Sequence, residues 1–303
     1  MKKETLNDAP MVSIVCDVYN HEPYLHDCLE GFVKQVVSFP IEVLIHDDCS
    51  TDKSAEIIKE YVAKYPHLFK PIYQKVNQYS QGISTWAKFQ IPRAQGKYIA
   101  LCEGDDYWTD PNKLQKQVDY MEQHSEIDLC CTASQQYVQK TGKFIGHGGT
   151  NLCEKYDTCI MGYNDIFTAT TLIRTDSFRK CYAELKSFLS QDLIIDTAYW
   201  YWFAYYNKIK YFDEETAVYR ILENSACHTT DNTKTVWNQW RFLRLKLSFL
   251  IRYPLKENQE QVKKSIFEEI EKHVQYAQYV SEEKVRHSKT YKIGHFIKKI
   301  VKK

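Results

Sequence analysis

What most constrains this chain is a rhythm that runs from residue 12 to residue 123. Short apolar runs alternate there with stretches whose apolar residues recur at helical spacing. Residues 12–18 (VSIVCDV), 41–45 (IEVLI) and 97–102 (KYIALC) read as buried strands. After Asn20-His21-Glu22-Pro23 the first is followed by Leu25, Cys28, Leu29, Phe32, Val33 and Val36, one face of a helix, and Pro23 suits a first helical turn. Ala55, Ile58, Tyr61 and Val62 mark a second helix, residues 69–74 a short third strand, and residues 84–94 another helix. Pro111 opens a helix with Leu114, Gln117, Val118 and Met121 on one face. Strands and helices alternating at this spacing predict an α/β fold with a parallel, doubly wound sheet. Such sheets bind ligands beyond the carboxyl ends of their strands.

Three of those strand ends carry acids: Asp17, the Asp47-Asp48 pair, and Glu103-Gly104-Asp105-Asp106. Gly and Asp favour turns, which accounts for one acid at a strand end. It does not account for three acids within four residues, because like charges repel. A hard divalent cation, Mg²⁺ or Mn²⁺, takes carboxylate oxygens and leaves positions for phosphate oxygens. The crowding therefore predicts a cation site.

Beyond residue 125 the rhythm changes. Residues 127–138 and 143–145 read as strands around Gly142, followed by a Gly-rich loop, Gly146-His147-Gly148-Gly149. Residues 167–173 read as a strand, as do 210–212 and 216–219; the aromatic run within 192–206 reads as a buried helix. From Asn232 to Tyr279 the pattern is helical, broken near Pro254. The tail after Lys289 places Ile293, Phe296, Ile297 and Ile300 on one face among lysines. A basic amphipathic helix of that kind can lie on an anionic membrane; a solvated terminus is the plainer reading. This divides the chain into a lead (1–10), a catalytic domain (11–228, with halves 11–125 and 126–228) and a helical C-terminal extension (229–303).

Composition narrows the function. The 303 residues carry a net charge of +1, so no global basic field points to nucleic acid. Ten cysteines are scattered without a CxxC pair, several inside apolar runs, where Cys acts as a small hydrophobe. The first residues lack the apolar core of a signal peptide, and no run reaches the ~20 apolar residues of a membrane span. Reduced cysteines and a cytoplasmic chain, able to meet the inner face of the membrane through its tail, are the expectation.

The ordered set Val12-Ser13-Ile14-Val15, Tyr19-Asn20, Asp47-Asp48-Cys49-Ser50-Thr51-Asp52 and Glu103-Gly104-Asp105-Asp106 resembles the family 2 glycosyltransferases of the GT-A fold, over residues 11 to 225. The resemblance implies an inverting transfer from a nucleotide-diphospho-sugar, with uracil the commonest base, to a hydroxyl of a lipid-linked or oligosaccharide acceptor in surface-polysaccharide synthesis. By position it implies that Asp17 and Asp48 contact the base while Asp47 supports the same loop. It further implies that Asp105 and Asp106 form the ribose- and metal-contacting motif, Asp106 being the first choice for the metal. Glu103 stands where many members have Asp. The family also places an Asp at the start of a late helix as general base. Asp192 is the candidate here, with Asp196 the fallback, though an acid in a first helical turn also caps the helix. Val218-Tyr219-Arg220 matches a Tyr-Arg pair of the family, so Arg220 reaches a phosphate or pairs with a structural acid. The His that many members carry two residues later is Leu222 here, and His228 follows as a weaker ligand candidate. Thr168 to Thr171 match an acceptor-side segment. Trp108 suits either stacking on a sugar or the core.

Two rival functions stay open at this point. A nucleotidyltransferase would carry a Gly-rich, basic loop after the first strand, where Asn20-His21-Glu22-Pro23 stands instead. A binding protein of the same fold that has lost turnover would keep the nucleotide site.

Overall fold

A computed structural model describes residues 9–162, 165–223 and 231–284. His228 and the basic tail from Lys289 lie outside the described residues. The first half follows the predicted rhythm closely: β1 (Val12–Val18), α1 (Leu25–Val33), β2 (Ile41–Asp47), α2 (Ser54–Lys64), β3 (Phe69–Tyr73), β4 (Tyr98–Leu101), β5 (Tyr107–Trp108) and α3 (Lys113–Gln123). The second half adds β6 (Leu129–Val138), β7 (Lys143–Gly148), α4 (Tyr156–Ile160), β8 (Leu172–Arg174), α5 (Thr175–Leu185), α6 (Asp196–Tyr205), β9 (Ile209–Ile221), α7 (Asn232–Arg252) and α8 (Gln259–Lys284).

All nine strands among the described residues join one sheet in the order β3-β2-β1-β4-β8-β6-β9-β5, with β7 paired to β6 off that path. The segment β3-β2-β1-β4 is parallel. Short β8 runs antiparallel between β4 and β6, and β6 then pairs in parallel with β9. Strands of the two halves thus share a single sheet.

Alternate strand residues go to opposite faces, and the central parallel strands β1, β2 and β4 are buried on both. On one face Ile14, Cys16, Val43, Ile45 and Ala100 pack with Leu29, Phe32, Ile58 and Leu114 of α1 to α3. On the other, Val15, Leu44, Ile99 and Ile173 pack with α5 to α8. The aromatic run is the buried helix that its composition predicts. Tyr199, Trp200, Tyr201 and Phe203 of α6 are all nearly inaccessible, as befits a helix that is apolar all round. No helix of the described residues is long and apolar enough to cross a membrane. The nine described cysteines are free thiols.

Local expectations changed in four places. Residues 84–94 form a π-helical turn (Trp86–Gln90) followed by a 3-10 turn (Ile91–Arg93) rather than one α-helix. The expected strand at 167–173 splits into a 3-10 turn (Thr168–Thr170) and the three-residue β8. There the Thr170 and Thr171 hydroxyls bond back to the carbonyls of Phe167 and Thr168. The two short strands at 210–219 are one bulged strand, β9. Gly146 to Gly148 belong to β7, not to a loop.

Candidate active site

The parallel order brings the carboxyl ends of β1, β2 and β4 side by side, with β1 in the middle. Their loops brace one another. Asn20 accepts from Thr51 N at 2.8 Å and donates its own backbone N–H to Ser50 Oγ. Asp52 accepts from Glu22 N, and Glu22 accepts from Lys53 N. Asn20 and Cys49 hold φ of 56° and 66°. Positive φ costs a non-glycine residue of order 1 kcal/mol or more and persists where surroundings over-determine it. For Cys49, which lacks an Asn-like side chain, that strain sits directly after the acid pair.

Asp17 ends β1 beneath this loop. Thr85 Oγ1 and Gln90 Nε2 donate to its carboxylate, and His46 Nδ1 lies 3.8 Å away. Burial pushes its pKa up, an effect that His46, Thr85 and Gln90 partly offset. Asp47 is buried, with one oxygen accepting from Ser50 N at 3.3 Å and the other without a hydrogen-bond partner. Asp48 uses both oxygens on backbone, accepting from Gln78 N (2.8 Å) and Tyr79 N (2.9 Å). It thereby fixes the wall of a cavity lined by Tyr19, Asn77, Tyr79 and Ser80, whose two tyrosines stay largely exposed.

The Glu103 to Asp106 turn lies next to β1, since Gly104 N donates to Asp17 O. A Cβ on Gly104 would come within 2.8 Å of His21 Nδ1 and 2.9 Å of Val18, so this turn requires glycine. Asp106 is buried and accepts from Arg220 N at 2.8 Å. Burial, then the charges of Asp105 and Glu103, push its pKa well up. Burial, then Asp105 and more distantly Asp196 and Asp17, raise Glu103 to about 8. Asp105 keeps one nearby cationic candidate, His21 Nε2 at 3.9 Å.

Asp17, Glu103, Asp105, Asp106 and Asp196 therefore share one electrostatic neighbourhood, and their mutual repulsion is what a cation would relieve. Among the described residues no three His, Cys, Asp or Glu side chains already converge into a metal cage. The chemistry of the donor set, hard carboxylate oxygens crowded at one edge of the sheet, fits a divalent ion of the Mg²⁺ or Mn²⁺ kind.

Arg220, at the end of β9, ion-pairs with Asp27, donates to Gln139 Oε1 at 3.0 Å, and lies against the rings of Tyr24, Tyr107 and Tyr137. Its Nε is buried without a partner. Asp27 is the structural acid foreseen as one of its two options. Trp108 is buried, donates to Ala169 O at 2.7 Å and packs on Phe32; it belongs to the core and not to a sugar face.

The two base candidates differ. Asp192 is exposed in a 3-10 turn, accepting from Ser190 Oγ at 2.6 Å and from Arg244 at 3.1 Å. Burial raises its pKa a little, but the Ser190 hydroxyl and the Arg244 and Arg241 charges outweigh that and hold it below its ordinary value. Asp196 is half-buried at the first position of α6, accepts from Thr197 N and Oγ1, and has its pKa raised by burial.

A family model described as glycosyl transferase family 2 matches residues 13–172, more than half of the chain. The chain belongs to glycosyl transferase family 2. The matched region spans all three acid-bearing strand ends; Asp192, Asp196 and Arg220 lie beyond it. The putative glycosyltransferase EpsE of Bacillus subtilis is 26% identical over 250 residues, covering 80% of this chain and 86% of its own length. The uncharacterized protein Rv1520 of Mycobacterium tuberculosis is 50% identical over 119 residues, which is 39% of this chain and only 34% of that relative. Among solved structures, S. aureus TarS 1-349 in complex with UDP-GlcNAc superposes with a TM-score of 0.59 at 17% identity, covering 93% of this chain and 78% of TarS 1-349. The mannosyltransferase PcManGT from Pyrobaculum calidifontis, in complex with GDP-Man and Mn²⁺, gives 0.57 at 11% identity, covering 90% and 76%. Identities that low show a shared fold, which is the GT-A arrangement expected from the motifs.

Sequence reasoning missed His46, Gln90, Thr85 and Asp27, which serve Asp17 and Arg220 from a distance. Gln90 carries no local signal, because only the π-helical turn aims it at β1. Tyr79 and Asn77 were equally silent, since their role comes from the Asp48 carboxylate that anchors their loop.

Proposed function

We propose that this family 2 enzyme transfers a sugar from a UDP-linked donor, with inversion, to an acceptor hydroxyl of a lipid-linked or oligosaccharide substrate in surface-polysaccharide assembly. The observation that carries this reading is the uncompensated acidic turn at Glu103 to Asp106, lying beside the braced loops of Asp17 and Asp47-Asp48. The relatives add support. TarS is solved with UDP-GlcNAc, and TuaG of Bacillus subtilis, 33% identical over 120 residues, is named a putative teichuronic acid biosynthesis glycosyltransferase.

In this reading the base lies in the cavity between Tyr19 and Tyr79, on the loop that Asp48 anchors, with Asp17 and Asp47 at the ends of β1 and β2. Asp105 and Asp106 would hold a divalent ion, Mg²⁺ or Mn²⁺, which supplies positive charge to the leaving diphosphate. Arg220 fixes Asp106 through its backbone N–H and keeps an unpaired Nε for an anion. Asp196 takes the proton of the acceptor hydroxyl as that oxygen attacks the anomeric carbon from the face opposite the diphosphate. We assign this step to Asp196 and not to Asp192, because a general base works best with a pKa raised toward the working pH. Asp192 has its carboxylate committed to Ser190 and Arg244.

Calorimetry of UDP, GDP and dTDP with and without Mn²⁺, on the wild type and on Asp106→Ala, tests the donor half. Binding of UDP that requires Mn²⁺ and is lost in the variant is the expected result. Binding of no nucleotide, or binding indifferent to both metal and variant, would remove the acidic turn from the mechanism.

A further inference from the structure

Helix α7 has a composition unlike the rest of the chain. Between Asn232 and Arg252 it carries Lys234, Arg241, Arg244, Lys246 and Arg252 and no acidic residue. Lys246 turns inward and pairs with Glu269 at 2.6 Å. Lys234, Arg244 and Arg252 are exposed, as are Trp237, Leu247 and Ile251, while Arg241 is partly covered. Trp237, Arg244 and Ile251 are spaced by seven residues, with Arg241 and Ser248 between them, so they form one stripe along the helix. Elsewhere around the helix Phe242 is partly exposed, but Val236, Leu243, Leu245 and Phe249 are buried. The stripe is not. Trp237 is 56% exposed, Leu247 39% and Ile251 88%.

Large apolar side chains standing singly between cations suit the boundary between lipid headgroups and acyl chains, where the ring or alkyl group inserts and the cations meet phosphate. They do not suit a second copy of the chain, which would oppose cation to cation. We propose that the outward face of α7 docks on an anionic lipid surface. The stripe is tied to the acceptor side of the protein. Arg241 donates to Asp192 O and Arg244 to the Asp192 carboxylate, four residues before Asp196. Docking there would present the 190–196 segment to whatever the membrane carries.

The test is co-sedimentation of the whole chain with vesicles of phosphatidylglycerol and phosphatidylcholine, or of phosphatidylcholine alone, at low and high salt. The expected result is binding to the anionic vesicles that weakens with salt. It should fall roughly tenfold or more in Trp237→Ser/Ile251→Ser, and again in Lys234→Gln/Arg252→Gln. Because these side chains are exposed, unchanged circular dichroism is expected alongside. The basic tail is controlled by Lys298→Gln/Lys299→Gln in the full chain. Vesicle binding that survives both α7 variants and disappears in the tail variant overturns the proposal. So does a wild type that ignores anionic vesicles, or one that forms a dimer lost in Trp237→Ser/Ile251→Ser.

Discussion

The two ends of the parallel strands treat buried acid in opposite ways. At the amino end Glu42 of β2 is 2% exposed, yet it accepts from Ser13 Oγ at 2.6 Å, from Gln95 N at 2.9 Å and from Lys70. Burial alone would raise its pKa, and those three donors reverse the sign and leave it lowered. At the carboxyl end Glu103 and Asp106 are raised, by burial first and by Asp105 next, with Glu103 adding to the rise of Asp106. One end meets its buried acid with a charge and donors from the chain, whereas at the other the Arg220 charge does not outweigh burial and the neighbouring acids. The first arrangement contributes stability, whereas the second costs stability and stores the electrostatic demand that a cation and a diphosphate would meet.

The sharpest break in this comparison is at Asp196. Replacement by Asn removes a proton acceptor from the acidic end without disturbing the amino end. Release of nucleoside diphosphate in the presence of acceptor should fall by about 10²–10⁴-fold, with donor binding by calorimetry unchanged. Turnover within a few-fold of wild type would remove Asp196 from the chemistry.

Next in size is Glu42→Ala, which leaves Ser13 Oγ and Gln95 N without their buried acceptor. A loss of about 2–4 kcal/mol is expected from chemical denaturation, with nucleotide affinity unchanged in the molecules that remain folded. An unchanged denaturation midpoint would show that the amino end is not the stabilising partner in the comparison.

The acidic end should respond with the opposite sign. Glu103 has an ordinary value of 4.5 and is raised to about 8 in the fold. Between those values the folded chain keeps a proton that the unfolded chain has released, so stability falls as pH rises from 4.5 toward 8. Glu103→Gln removes Glu103's share of that dependence, leaving the shares of Asp17, Asp106 and Asp196, which are also raised. In the presence of chelator it should be more stable than wild type by an amount on the order of 2–3 kcal/mol at pH 7, with the gain fading near pH 4. A gain that does not vary with pH would mean that Glu103 is not held at a raised pKa.

This contrast also explains what was legible in the sequence. Apart from residues 84–94 and β5, the strands and helices up to Gln123 could be read because the runs of β1, β2 and β4 are buried on both faces and the segments are punctuated by Asn20, Pro23, Asp52 or Pro111. The acids were legible because they end those runs. Illegible features depend on distant partners. The Thr168–Thr170 turn exists because Trp108 Nε1 and Gln117 Nε2 bind the carbonyls of Ala169 and Thr170, which β-branched composition cannot reveal. Likewise β9 is continuous because it pairs with both β6 and β5, although Asp213-Glu214-Glu215 in its middle look like a break.

The smallest effect separates Asp192 from Asp196. The Asp192–Arg244 pair spans 3.1 Å with side chains 44% and 49% exposed, and an exposed pair of that kind is worth at most about 1 kcal/mol. Asp192→Asn should therefore shift thermal stability slightly and change turnover by less than about threefold. The two variants together form a test that neither gives alone. If Asp192→Asn loses turnover to the degree expected of Asp196→Asn, the base lies in the 3-10 turn and the Arg244 contact must open during the reaction. If only Asp196→Asn does, then Asp192 is the acid with its charge already met, as Glu42 is, and its place in the comparison is with the stabilising end of the molecule.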